Sequence, residues 1–249
     1  MLRQESAHNI ETPDAKIYGR LSSVSSKKLV IHLHGMTHAM HYFLEVMGAE
    51  IFNEHGYDHY RFSFYTNGPD ARHGNTVDMT THLADTKAVI NHFRGKYNEI
   101  YITGHSLAAP MLLATNPPEI KAFSLWDPAF DAETFWQTGN YLTYDADNSE
   151  YHLNYGNVFV LSKKWVDEIK IYNNDYCLDL AAQVATPTQL IIPEESIFLA
   201  SPDTSPAEYG DYFTGDFDLV KIPNSDHCFS YPGNYKKLFA ETIRWFEKC

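Results

Sequence analysis

The stretch Ile100 to Pro110, IYITGHSLAAP, constrains this chain more than any other. Tyr101, Ile102 and Thr103 read as the end of a buried strand, and the apolar run Met111-Leu112-Leu113-Ala114 reads as a helix. Between them lies Gly104-His105-Ser106-Leu107-Ala108, a serine flanked two residues away on each side by a small residue. A turn from strand straight into helix is so tight that those flanking positions must be small, and it pushes the serine hydroxyl out above the sheet. The helix N-terminus aims its free N–H groups and its positive dipole end at the same spot. Such groups stabilise an oxyanion, which is what acyl transfer requires.

Strands and helices alternate around this turn. Lys28 to Leu33 is a continuous apolar strand that ends at His34-Gly35, and a helix follows from about Tyr42 with Leu44, Met47 and Ile51 at helical spacing. Tyr57 to Tyr65 is the next strand, and Thr81 to Phe93 a helix with Leu83, Ala84, Ala88, Val89 and Phe93 on one face. Ile120 to Trp126 is a strand ending at Asp127-Pro128; Thr188 to Ile192 and Phe217 to Ile222 are two more. A closing amphipathic helix runs from Tyr235 to Phe246, and Lys16 to Arg20 reads as an edge strand. The pattern predicts an α/β fold, with a mostly parallel central sheet and helices on both faces.

Residues 131 to 182 differ in character. Aromatics are dense there, from Phe135, Trp136 and Tyr141 through Phe159 to Trp165 and Tyr176. The polar centre Asp145 to Ser149 separates two strand-like arms, which predicts a hairpin, and Ser162 is placed to cap a helix. We read 131–182 as an inserted cap or lid, with 1–130 and 183–249 forming the core. Its aromatics serve equally well as an apolar pocket or as the segment's own small core.

Two further sites complete a constellation. His227 falls in the loop between the last strand and the last helix, where an imidazole drops onto the serine hydroxyl as general base. A turn at His34-Gly35-Met36 aims the Met36 N–H at the same place, partnering the Leu107 N–H as an oxyanion hole. With His34-Gly35, then Gly104-His105-Ser106-Leu107, then Asp226-His227 in this order, the chain resembles the α/β-hydrolase superfamily over nearly its whole length. It is similar to carboxylesterases and lipases of that fold, with the insertion placed as in cinnamoyl-esterase-like members. Ala108 stands where the family usually has glycine, a sterically mild departure.

The departure in the acid is larger. The family usually carries an aspartate just after the strand that here spans Thr188 to Ile192, and this chain reads Pro193-Glu194-Glu195-Ser196. Glu195 reaches with a one-residue shift of the loop, and Glu194 and Asp203 are weaker options. Asp127 is the alternative, since some lipases of the fold hold their acid there in a similar Asp-Pro-Ala context.

The resemblance implies a cofactor-independent serine hydrolase acting on small apolar or aromatic carboxylic esters. Alternatives are a thioesterase, acyltransferase or peptidase on the same residues, or a ligand-binding relative without turnover. A net charge of -13 argues against nucleic acid and anionic membranes as partners. His32, His34, His38 and His41 are close in sequence but lack a carboxylate at a ligand spacing, so no metal is expected. Three scattered cysteines and opening residues without a secretory apolar stretch lead us to expect a cytoplasmic protein. Oligomeric state is not legible.

Overall fold

A computed structural model describes residues 4–132, 142–155, 157–196 and 207–249. Phe135, Trp136 and Tyr141 of the aromatic segment, and the acid option Asp203, lie outside the described residues.

Twelve strands are described: β1 (Gln4–Ala7), β2 (Ile10–Glu11), β3 (Lys16–Ser23), β4 (Lys28–Leu33), β5 (Asp58–Ser63), β6 (Glu99–His105), β7 (Ala122–Trp126), β8 (Leu142–Asp145), β9 (Glu150–Tyr155), β10 (Asn157–Ser162), β11 (Thr188–Glu195) and β12 (Phe217–Asp226). The helices are α1 (Phe43–Glu54), α2 (Met79–Phe93), α3 (Ala108–Thr115), α4 (Lys163–Ile169), α5 (Asn174–Ala181), α6 (Tyr209–Tyr212) and α7 (Asn234–Lys248).

The main sheet runs β1-β3-β5-β4-β6-β7-β11-β12, with β2 attached to β3. From β5 through β12 every pairing is parallel, so these strands all end along one rim. The sheet separates two cores. Ile31, Leu33, Ile102, Phe123, Leu125 and Leu190 face α2 and α3, whereas Val30, Tyr101, Trp126 and Ile191 face α1 and α7. Adjacent residues of one strand therefore enter opposite cores, which is why the parallel strands read as unbroken apolar runs.

Three differences from the sequence reading have physical causes. The strand at Lys16 is not an edge: β1 pairs outside it, and its four residues QESA, three polar and one alanine, carry no hydrophobic alternation. The buried face of α2 includes His82 and Asp85, while Ala84 is exposed. Asp85 tolerates burial because Arg72 donates to both its oxygens, at 3.0 and 3.1 Å. Finally, β11 does not end at Ile192 but continues to Glu195, through a register shift against β12 after Pro193.

Between β7 and β11 the chain builds a second, antiparallel sheet in the order β10-β9-β8. The hairpin at Asp145 to Glu150 forms as the pattern implies, and the Ser162 hydroxyl caps α4 by accepting from the Trp165 N–H at 3.0 Å. Ser162 also donates to the Val77 carbonyl, and Lys164 pairs with Asp78, the N-cap of α2. Trp165, Val166, Ile169 and Cys177 are buried in the same core as α2 and α3. The α4 and α5 part of this segment is thus packed into the core beneath it.

Candidate active site

The strand-to-helix turn forms as its small residues demand. β6 ends at His105 and α3 begins at Ala108. Ser106, 6 % exposed, has φ of +57°, a left-handed conformation that costs a non-glycine residue about 1–2 kcal/mol. Three backbone hydrogen bonds hold it there. Its N–H donates to Trp126 O at 2.9 Å, and its carbonyl accepts from Ala109 and Ala129, both at 3.1 Å. A Cβ added at Gly104 would touch the Ala108 backbone at 3.4 Å, so nothing much larger fits two residues before the serine.

The end of β4 closes on this turn. A Cβ at Gly35 would lie 3.0 Å from Ser106 Cβ and 3.3 Å from the His105 carbonyl, so any side chain here would force the serine turn to shift by a few tenths of an ångström. His34 fixes the same loop. Its Nε2 accepts from the Phe64 N–H at 3.1 Å, which leaves Nδ1 protonated to donate to Gly35 O at 2.7 Å. Both ring nitrogens are thereby spent on backbone, and His34 is a strut rather than a group offered to a ligand. Gly35 O also accepts from the His38 N–H across a turn whose third residue, Thr37, has φ of +66°. Met36 sits in this turn, half-buried against the core.

His227 follows directly on β12, and Asp127 directly on β7. The Nδ1–H of His227 donates to Asp127 Oδ2 at 2.6 Å. Asp127 is fully buried, and its other oxygen accepts from the Ser196 hydroxyl at 2.6 Å. Glu195 is elsewhere. Its Oε2 accepts from the Tyr231 hydroxyl at 2.9 Å, while Glu194 accepts from the Asn224 N–H at 2.6 Å. The reason is the extension of β11: Glu195 is still in register with Asp226 and has not entered the loop that leads toward the histidine. The structure therefore brings together Ser106, Gly35 and His105 on one side, and His227 with Asp127 on the other; it does not bring Glu195 to His227.

No protein-family model matches the sequence, and no curated protein matches it. Solved structures do. Est1E from Butyrivibrio proteoclasticus, solved with ferulic acid bound, superposes with a TM-score of 0.78 at 19% identity, covering 97% of this chain and 100% of that one. The esterase domain of a Rhodothermus marinus protein gives 0.73 at 17%, with 97% of each covered. Dienelactone hydrolase from Anabaena variabilis gives 0.71 at 14%, over 99% and 98%. The chain has the α/β-hydrolase fold.

Within this α/β-hydrolase fold, two residues near the serine escaped the sequence reading. His105 is buried between the turn and the His227 loop; its Nε2–H donates to the His227 carbonyl at 2.9 Å, and the two rings lie 4.7 Å apart. Its place in the G-x-S-x-A pentapeptide is the variable one, so the motif itself gives no signal. Ser196 stands where the resemblance implies an aspartate, and it serves as a donor to the aspartate that is present one strand over. His105→Ala is expected to free the His227 loop, read as faster amide hydrogen exchange over that loop.

Of the histidines near β4, His32 and His38 reach the same oxygen of Glu45, at 3.6 and 3.3 Å. His32 Nδ1 meets the Thr103 hydroxyl at 2.8 Å, and His38 Nδ1 meets Glu45 Oε1 at 3.3 Å. Burial also keeps several histidines of this α/β-hydrolase fold neutral. It pushes His34 down to about 4 and His82, stacked on Phe64 at 4.6 Å, to about 3; His105 is held well below the usual range. The unfolded chain protonates His34 and His82 near 6.5 and the folded chain only at about 4 and about 3, so their contribution is intact above pH 6.5 and lost as pH falls through that window. At pH 5 each is expected to have cost about 2 kcal/mol, at 1.4 kcal/mol per pH unit. Urea unfolding at pH 7 and pH 5 measures it; the drop must shrink in His82→Leu, and an equal drop there would refute the assignment.

Proposed function

We propose that this chain hydrolyses carboxylic esters through Ser106, His227 and Asp127. The observation that carries the reading is the 2.6 Å bond from His227 Nδ1 to the buried Asp127 carboxylate, with a serine held at positive φ one strand away, its N–H bonded to the carbonyl of Trp126 next to Asp127. With Nδ1 protonated toward Asp127, Nε2 carries the lone pair that takes the Ser106 proton. Ser106 Oγ attacks the acyl carbon, and the Met36 and Leu107 N–H groups hold the tetrahedral oxyanion. The imidazolium then protonates the leaving alcohol. Water, deprotonated by His227, attacks the acyl-enzyme and regenerates the serine. Asp127 keeps the imidazole in the productive tautomer and stabilises its charged form, and the Ser196 hydroxyl holds Asp127 in turn.

The segment 131–182 is the cap in this reading. Phe159 of β10 packs on Tyr65 at 5.0 Å, and Tyr65 packs on His34 at 5.6 Å, so aromatic side chains run from the second sheet to the β4 turn. This favours small esters with apolar or aromatic groups, as does the likeness to an Est1E structure that holds ferulic acid. A ligand-binding relative without turnover is the alternative reading, and the contact between His227 and Asp127 favours hydrolysis over it. Hydrolysis of short-chain p-nitrophenyl esters, with fluorophosphonate labelling of Ser106 read by mass spectrometry, tests the reading. The absence of both turnover and labelling would overturn it.

A further inference from the structure

Next to the proposed serine centre is a second group of titratable side chains that ester hydrolysis does not use. Cys228 follows His227 in the chain, and its Sγ lies 4.0 Å from His38 Nε2. The other ring nitrogen of His38, Nδ1, is 3.3 Å from Glu45 Oε1. The Glu45 side chain is 1% exposed, and its Oε2 is buried without a hydrogen-bond partner. A thiol, an imidazole and a buried carboxylate are thus in line, the order in which a cysteine nucleophile is activated. Cys228 itself is half-buried, unlike Cys177, which is fully buried.

We propose that Cys228, with His38 and Glu45, is a reactive-thiol site that takes hydroperoxides and soft alkylating electrophiles. The inference goes beyond ester hydrolysis and stands whether or not Ser106 is a nucleophile. The thiol proton passes to His38 Nε2, and Glu45 stabilises the imidazolium through Nδ1. With a hydroperoxide, the thiolate sulfur attacks the terminal oxygen and the O–O bond breaks with its electron pair on the leaving oxygen. That oxygen takes the proton from His38 and departs as water or an alcohol. Cysteine sulfur is oxidised to the sulfenic acid, the peroxide is reduced, and His38 returns neutral.

The surroundings of His38 support its charged form. Burial alone would lower its pKa, but the hydrogen bonds to Cys228 and Glu45 and the charge of Glu45 outweigh burial and raise it to about 9. Glu45 is held well below the usual carboxylate range; burial opposes this, and the contacts with His32 and His38 prevail. The other groups facing His38 are Tyr42, stacked at 4.6 Å, and His105, whose ring centre is 5.4 Å away. His105 is kept neutral by burial and so adds no opposing charge. His32 reaches Glu45 from the far side, its Nε2 3.6 Å from Oε1.

The other cysteines lack this arrangement. Cys177 is fully buried, and burial pushes its thiol up to about 12. Cys249 is half-exposed, but burial still raises its thiol, and no histidine is bonded to it. A thiol next to a charged imidazole reacts faster because the thiolate is the nucleophile. Selectivity among the three is therefore the direct readout.

The test treats the folded 249-residue chain at pH 7 with iodoacetamide, and separately with hydrogen peroxide followed by dimedone, and follows each cysteine by mass spectrometry. Cys228 is expected to react about tenfold or more faster than Cys249, and about tenfold faster than the same cysteine in the guanidinium-unfolded chain. His38→Asn and Glu45→Gln, each checked for folding by circular dichroism, are expected to abolish most of that advantage. The comparison with the unfolded wild type needs no variant, so it decides the matter even if His38→Asn does not fold. Reaction of Cys228 no faster than in the unfolded chain would overturn the proposal. So would rates within twofold of wild type in a folded His38→Asn.

Discussion

Ser106→Ala is expected to reduce ester turnover by about 10⁴–10⁶-fold and to abolish fluorophosphonate labelling, because removing a triad nucleophile disables the triad as a unit. Stability should hardly move, since alanine at φ of +57° bears the same left-handed strain as serine. Ser106→Gly separates the two roles of the position. Glycine occupies that region freely, so the strain of about 1–2 kcal/mol is relieved, partly offset by the greater freedom of glycine in the unfolded chain. The glycine variant should therefore be equally inactive and about 0.5–1 kcal/mol more stable in urea. An active Ser106→Ala enzyme would sink the nucleophile assignment. A destabilised Ser106→Gly would show that the turn does not strain the serine.

The second large effect belongs to the acid. Asp127→Asn is expected to lower turnover about 10⁴-fold at neutral pH, as loss of the carboxylate that orients a triad histidine does. Asp127 accepts at both oxygens, from His227 and from Ser196. An asparagine must present its NH₂ group to one of these two donors, so it turns the imidazole to the wrong tautomer or breaks the Ser196 contact. Glu195→Gln should stay within about threefold of wild type, because Glu195 meets Tyr231 and not the histidine, and surface contacts of this kind are weak. The reverse result, a collapse in Glu195→Gln with Asp127→Asn near normal, would return the role to Glu195.

These two residues show how far a linear reading reaches. Both sit at the ends of neighbouring parallel strands: β7 and β11 pair with Leu190 opposite Leu125 and Ile191 opposite Trp126. From sequence, each carboxylate follows an apolar run by a few residues, and each is compatible with a triad. The choice depends on where the strand stops. Three more residues of β11 keep Glu195 in the sheet, while a sharp turn at Asp127, with φ of +37° and its N–H donating to Ile191 O at 2.8 Å, sends that side chain to the histidine. The position that the resemblance reserves for an aspartate carries Ser196, a donor to the acid next door.

Local physics determined much of the rest. The apolar runs of β4, β6, β7 and β11, the periodicity of α1 and α7 and the small residues around Ser106 are properties of neighbouring residues, and each specifies its element without help from distant chain. So do Gly35 and the placement of His227 after the last strand. Only the tertiary structure decided which polar groups become buried partners. His34 is a backbone strut, His105 a brace on the His227 loop and Asp85 a buried mate of Arg72, and in each case a partner lies outside the residue's own element, 30, 122 and 13 positions away. Such pairings carry no periodicity, since a buried charge or imidazole is tolerated only once a partner from another element arrives to satisfy it. The same holds for Cys228, whose neighbour in space, His38, is 190 residues away along the chain.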